Sequence, residues 1–261
     1  MTDAAWQEFL LRLASASKVR LLLDYDGTLA DFAPTPDVIL QDPELISLLY
    51  RLATRDKFLL GIVSGRSLQH LRELLPFKGM LLAGTYGLEM QLPDGSSHAV
   101  VTFEQVRPIM ERIKPIWQQQ MDGQHGFFLE DKGWALALHA RFAAPDDAQR
   151  VLAAARAEAE AFSPGPAFTI EHRLRFLEIY PVEANKRRSI DRILAQYTPP
   201  DALPVFAGDD THDEEAFAPV LDAGGYCIRV SQDAVETRAQ FRLETPAQVR
   251  QWLAGLEDAR T

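Results

Sequence analysis

Leu21-Leu22-Leu23-Asp24-Tyr25-Asp26-Gly27-Thr28-Leu29 is the stretch on which the reading of this chain turns. The apolar run that begins at Val19 stops abruptly at two carboxylates, Asp24 and Asp26, followed by a glycine. A short apolar run bounded in this way predicts a buried strand. At the end of such a strand Asp24 is expected to present an exposed carboxylate, and Gly27 lets the backbone fold around a small anion. An acidic turn capping the next helix would have the same composition, so the motif needs company.

Three further apolar runs end in glycine or a small polar residue: 58–63 before Ser64, 80–83 before Gly84, and 205–207 before Gly208. Between the first two strands Leu45, Leu48, Leu49 and Leu52 recur at helical spacing, and a second helix is predicted over 68–75. Strands alternating with helices imply an α/β fold with a doubly wound, mostly parallel sheet. In such sheets ligands bind beyond the carboxyl ends of the strands, which here carry Asp24, Ser64 and Asp209. The middle of the chain reads differently, with helices over 103–121 and 146–162, each followed by two strands, at 127–130 and 134–140 and at 168–171 and 176–180. An α-β-β unit used twice implies a small α+β domain inserted into the α/β chain. The expected division is a core from 1–102 and 181–261 and a cap, or lid, from 103–180.

Composition narrows the function. The 261 residues are 47% hydrophobic and 25% charged, an ordinary globular balance. With 37 acidic residues against 27 basic ones the net charge is −10, which disfavours nucleic acid and anionic membrane surfaces as partners. The single cysteine, Cys227, forms no intrachain disulfide and lies in an apolar run, which points to the core and to a reducing compartment. Acids near the start, where a signal peptide carries bases, and no apolar run of membrane-spanning length lead to the expectation of a cytoplasmic protein, taken as a monomer.

Three later motifs keep company with the first. Val63-Ser64-Gly65-Arg66 opens the second helix, where a hydroxyl and neighbouring amides can hold phosphate oxygens, although a serine there is most often an N-cap. Asn185-Lys186 stands at the return from the insert, where a lysine is ordinarily a solvated charge. Gly208-Asp209-Asp210-Thr211-His212-Asp213-Glu214-Glu215 packs five acids after an apolar strand, and a hard cation such as Mg²⁺ relieves the repulsion. For Glu214 and Glu215 a solvated helix cap is the better reading.

Taken in order, Asp24-x-Asp26-Gly27-Thr28-Leu29, Ser64, Lys186 and Asp209-Asp210 resemble the haloacid dehalogenase superfamily across the whole chain. Within it, Gly-Asp-Asp-x-x-Asp-Glu followed by Ala216-Phe217, with Glu130-x-Lys132, His139-x-Arg141 and Glu178 in the insert, is similar to the trehalose-6-phosphate phosphatase family. The resemblance implies a Mg²⁺-dependent phosphatase with a small-molecule sugar phosphate as substrate. Asp24 would be the nucleophile, Asp26 the general acid and base, Ser64 a phosphoryl ligand and Lys186 the neutralising cation. It implies a metal site drawn from Asp24, Asp26, Asp209, Asp210 and Asp213, with Asp209 the direct ligand, Asp26 contributing its backbone oxygen, and Asp210 and Asp213 acting from behind. Substrate is expected on Gly27, Thr28, Gly65, Arg66, Glu130, Lys132, Arg141, Glu178 and Asn185, although Glu130 and Lys132 could be a hairpin ion pair and nothing more. The sequence departs from the family pattern at Tyr86, where histidine is frequent, at Tyr180, Arg187 and His212. A phosphatase for another sugar phosphate, of the sucrose or mannosylglycerate type, and a catalytically silent sugar-phosphate sensor are the competing readings.

Overall fold

The structure, a computed structural model, describes residues 3–32, 40–162, 165 and 167–258. They fall into two compact units, one of residues 3–32, 40–98 and 185–258, the other of residues 99–162, 165 and 167–184.

The first unit begins with α1 (Asp3–Ser15), β1 (Val19–Leu23), α2 (Pro43–Ala53), β2 (Phe58–Val63), α3 (Leu68–Leu74) and β3 (Leu81–Gly84). A 3-10 turn (Thr85–Gly87) and the short strands β4 (Glu89–Gln91) and β5 (Ser97–Ala99) follow. After the second unit come α6 (Lys186–Tyr197), β10 (Leu203–Gly208), α7 (Thr211–Asp222), β11 (Tyr226–Val230), β12 (Phe241–Leu243) and α8 (Pro246–Asp258). The sheet runs β12-β11-β10-β1-β2-β3-β4-β5 and is parallel from β12 through β3. Central parallel strands are buried on both faces, which is why β1 reads as a run of leucines and not as an alternation. Leu21 and Leu23 pack into a core with Phe9, Leu49 and Leu253, whereas Leu22 faces the opposite core with Ile190, Phe206 and Phe217. Cys227 is buried in that second core, and burial pushes its thiol far up.

The chain leaves β1 toward β2 on one side and returns to β10 on the other, so β1 and β10 flank the switch point where such sheets bind ligands. Their registered ends, Leu23 beside Ala207, bring Asp24 and the segment from Asp209 onward to one place.

The second unit contains α4 (Phe103–Met121), β6 (Phe128–Asp131), β7 (Leu136–His139), α5 (Pro145–Phe162), β8 (Phe168–Arg173) and β9 (Phe176–Pro181). Its antiparallel sheet has the order β6-β7-β9-β8, the arrangement that a repeated α-β-β unit produces when two hairpins pair through their second strands. Alternation gives the sheet two faces. Leu129, Leu136, Leu138, Leu177, Ile179 and Ile170 pack on Met110, Trp117 and Leu152 of the helices, and the Trp117 indole N–H donates to the Ala155 carbonyl at 2.9 Å. The opposite face carries one cross-strand row, Glu130, Ala137, Glu178 and Glu171, with His139 between Phe128 and Phe176 in the next.

Candidate active site

Asp24 follows β1 directly, and the structure corrects the expectation that its carboxylate is exposed: only 5% of the residue is accessible. Lys186, at the first position of α6, is buried too, and its Nζ lies 2.9 Å from Asp24 Oδ1. The same ammonium donates to Asp213 Oδ1 at 2.7 Å. Asp213 Oδ2 accepts the backbone N–H groups of Asp209 (2.9 Å) and Asp210 (3.0 Å), which bends the chain after β10 back over the start of α7. Asp210 closes the reciprocal cap by accepting the Asp213 N–H at 3.1 Å. Asp210 and Asp213, expected to act on the metal site from behind Asp209, make these contacts here: Asp210 caps α7, and Asp213 bonds Lys186 and two amides while an oxygen of it stays close to Asp24 and Asp209.

Asp209 is the acid facing Asp24, and a proton held by one of the two lets them hydrogen-bond. The Thr28 hydroxyl donates to Asp209 Oδ1 at 3.4 Å. Gly27, with φ +75°, makes this approach possible, because a Cβ there would lie 2.3 Å from Asp209 Oδ2. The electrostatics are those of too many anions for one cation. Burial raises Asp24 well above the carboxylate range, and Asp213 and Asp209 add to this against the opposing pull of Lys186. Burial, with the charges of Asp213 and Asp210, pushes Asp209 up to about 7. Asp213 is pushed up to about 6 by burial. Burial alone would raise Asp210 and lower Lys186 as well, but the Lys186 charge holds Asp210 low, and Asp213 and Asp24 hold Lys186 well above its usual range. Oxygens of Asp24, Asp209 and Asp213 lie within 4.8 Å of one another. An all-oxygen donor set with surplus negative charge fits a hard divalent cation.

Asp26 lies apart from that cluster. Arg66 grips it through two parallel bonds, Nε to Oδ2 and Nη2 to Oδ1, each 2.7 Å. Arg66, expected on substrate, is here the partner of the expected acid and base. Ser64 is buried, and its Oγ accepts the Arg66 N–H at 3.2 Å. It does not cap α3: Ser67 does, accepting from His70 N, and the helix starts at Leu68, where its spacing predicts it. Gly65 packs against the Tyr86 ring. Asn185, expected on substrate, caps α6 by accepting the Arg188 N–H at 2.9 Å and donates to Glu215 at 3.4 Å. Arg187 is exposed.

In the second unit Glu130, Lys132 and Glu178 come together on the polar face of the sheet. Lys132 Nζ donates to Glu178 Oε1 at 2.6 Å and lies 4.0 Å from Glu130 Oε2. All three side chains are at most 7% accessible, so this is no solvated hairpin pair. Arg141 is exposed in the turn after β7, its guanidinium 5.9 Å from the Phe142 ring centre. His139, not singled out as a site residue from the sequence, meets Glu130 Oε2 at 3.1 Å, and its signal was the His139-x-Arg141 motif itself.

Comparison with known proteins bears on this geometry. The profile of the family described as trehalose-phosphatase matches residues 22–247. A Sinorhizobium fredii protein described as a probable trehalose-phosphate phosphatase is 31% identical over 259 residues, which span 97% of this chain and 93% of that protein. The Escherichia coli trehalose-6-phosphate phosphatase is 30% identical over 239 residues, 91% of this chain and 86% of its own. The C-terminal domain of the Candida albicans trehalose-6-phosphate phosphatase superposes with a TM-score of 0.82 at 21% identity and 96% coverage of both chains, a likeness of fold. Among the described residues no helix is long and apolar enough to cross a membrane.

Proposed function

The chain belongs to the trehalose-phosphatase family and is a phosphatase, and on that premise we propose that it hydrolyses trehalose 6-phosphate to trehalose and phosphate through a phosphoryl group carried on Asp24. The observation that carries this reading is the buried array at the ends of β1 and β10: Asp24 in contact with Lys186, and Asp209 beside it. Lys186 draws negative charge off Asp24 so that one oxygen can approach phosphorus. That oxygen forms the new P–O bond while the bond to the sugar oxygen breaks, and the departing electron pair takes a proton from Asp26. In the second step Asp26 takes a proton from water, the water oxygen bonds to phosphorus, and the carboxylate of Asp24 leaves. One group thus serves as acid and then as base. For this the Asp26–Arg66 pair must open, and an incoming phosphate dianion supplies the guanidinium with a competing partner. Ser64 and the amides around Gly65 stand to hold the remaining phosphoryl oxygens.

Asp24, Asp209 and the backbone oxygen of Asp26 would hold a Mg²⁺ ion, which when bound offsets the repulsion between carboxylate and phosphate. The second unit acts as the cap in this proposal, with Glu130, Lys132 and Glu178 taking the sugar hydroxyls. Acid-quenched enzyme in steady turnover of trehalose 6-phosphate should carry one phosphoryl group on the peptide containing Asp24, and Asp24→Asn should abolish both label and turnover. A panel including sucrose and mannosylglycerate phosphates tests the sugar. Unlabelled Asp24 during turnover overturns the mechanism, and faster turnover of another sugar phosphate overturns the substrate.

A further inference from the structure

Three segments that carry charged residues of the candidate site meet on a turn that carries none. The turn is Thr85–Gly87, directly after β3. Its amides donate into the loop after β2, Thr85 N–H to the Arg66 carbonyl at 2.7 Å and Tyr86 N–H to the Ser64 carbonyl at 2.8 Å, while Ser64 N–H bonds back to Ala83 at 2.9 Å. Gly87 rests on the helix that begins with Lys186: with φ +86° and a built Cβ 1.9 Å from Ser189 Oγ, no side chain fits there. Tyr86 reaches the third segment. Its ring lies against His212, in the first turn of α7, with centroids 4.8 Å apart and planes at 40°. The same ring closes over Gly65, where a Cβ would come 2.8 Å from Tyr86 Cε1.

The backbone of the turn is held in an unfavourable shape. Thr85 at φ 48° and Tyr86 at φ 56° are the two described non-glycine residues in the left-handed region, and they are consecutive. Such a conformation persists where the surroundings over-determine it, and it recurs at functional sites. Tyr86 and His212 are also two of the positions at which the sequence departs from the family pattern, and the structure sets one departure against the other, ring to ring at a tilt of 40°.

We propose that Tyr86 and His212 are a positioning pair that fixes the Ser64–Arg66 loop at one distance from the Asp209–Asp213 segment, so that the groups for phosphate and the groups for metal keep a single spacing. The inference rests on the phosphatase reading above. The pair acts through the two segments it joins, Gly65 under the Tyr86 ring and the first turn of α7 that carries His212. Misplacement of phosphate against its nucleophile lowers the rate steeply, because in-line attack needs near-contact geometry.

The test is a double-mutant cycle with Tyr86→Ala, His212→Ala and the double variant, read as kcat/KM for p-nitrophenyl phosphate and for trehalose 6-phosphate with Mg²⁺, and as the inhibition constant of inorganic phosphate. Each single change should lower kcat/KM on both substrates by about ten- to hundredfold and weaken phosphate inhibition. The double variant should be little worse than either single one, a departure from additivity of at least about fivefold. Tyr86→Phe and His212→Phe, which keep two rings in contact, should restore activity to within about threefold of the parent, whereas a loss of fold would not be restored ring by ring. Additive losses, or a His212→Phe variant as damaged as His212→Ala, would overturn the pair. If Tyr86→Ala does not fold, the comparison of His212→Ala with His212→Phe decides alone. Full activity in Asp24→Asn would sink the underlying site reading, an outcome separate from additivity between Tyr86 and His212.

Discussion

Asp209 and Asp213 are residues that the fold makes reluctant to ionise, and that reluctance has a sign. Unfolded, each titrates as an ordinary carboxyl near 4; folded, burial first and neighbouring carboxylates second push them up to about 7 and about 6. Between those limits the native chain holds protons that the unfolded chain has released. Stability is therefore greatest at the acid end of this window and is lost as pH rises through it. In chelator, the melting temperature is expected to fall from about pH 5 to about pH 7.5. Added Mg²⁺ should lift the value at the higher pH more than at the lower, because a cation favours the ionised carboxylates. A melting temperature that rises with pH in chelator would show that these carboxyls are ionised without the ion, and the surplus-charge account of the site would fall.

At the scale of elements, what a segment buries decides how much of it the sequence announces. β1 and β2 are buried along nearly their whole length, so leucine and isoleucine runs announce them, and their ends at Asp24 and Ser64 announce the site. β4 and β5 have three residues each, and every residue of β5 is exposed, so they leave no apolar signature. The candidate-site residues stand out in the sequence by type and order, because Asp24, Lys186 and Asp209 each stand at the end or start of an element. Their pairings do not. Arg66 reaches Asp26 across 40 residues and Asp213 turns back on its own helix start, contacts that depend on the register of β1 against β2 and β10. The sheet of the second unit makes the same point. The alternation on β6 and β9 separates core from polar residues, but only the cross-strand row puts Glu130 and Glu178 about Lys132. If that row reads the sugar, Glu130→Ala and Glu178→Ala should each cost about 1 to 3 kcal/mol of transition-state binding, roughly five- to 150-fold in kcat/KM for trehalose 6-phosphate. Turnover of p-nitrophenyl phosphate should stay close to that of the parent. Equal losses on the two substrates would place the row in the fold and not in recognition.

At the scale of the whole molecule, the two units carry separate hydrophobic cores, one set on the two faces of the parallel sheet and one between the antiparallel sheet and α4 and α5. Each core locks its own backbone hydrogen bonds, so each unit is expected to open with its own free energy. A ligand slows the exchange of a unit's amides only if it binds that unit's folded form, by a factor that approaches about 100 at a hundredfold excess over Kd. In the proposed division of labour, Mg²⁺ with inorganic phosphate engages the first unit alone. Hydrogen exchange read by mass spectrometry should then slow in β1 and β10 and stay unchanged in β7 and β9. Trehalose 6-phosphate bound with Mg²⁺ to Asp24→Asn, where no turnover consumes it, should slow both sets, because the sugar now holds Glu130, Lys132 and Glu178 in place. Slowing of β7 and β9 by phosphate and Mg²⁺ alone would mean that the units open as one. If trehalose 6-phosphate leaves β7 and β9 unchanged while it protects β1 and β10, the second unit does not read the sugar, and the polar row on its sheet needs another function.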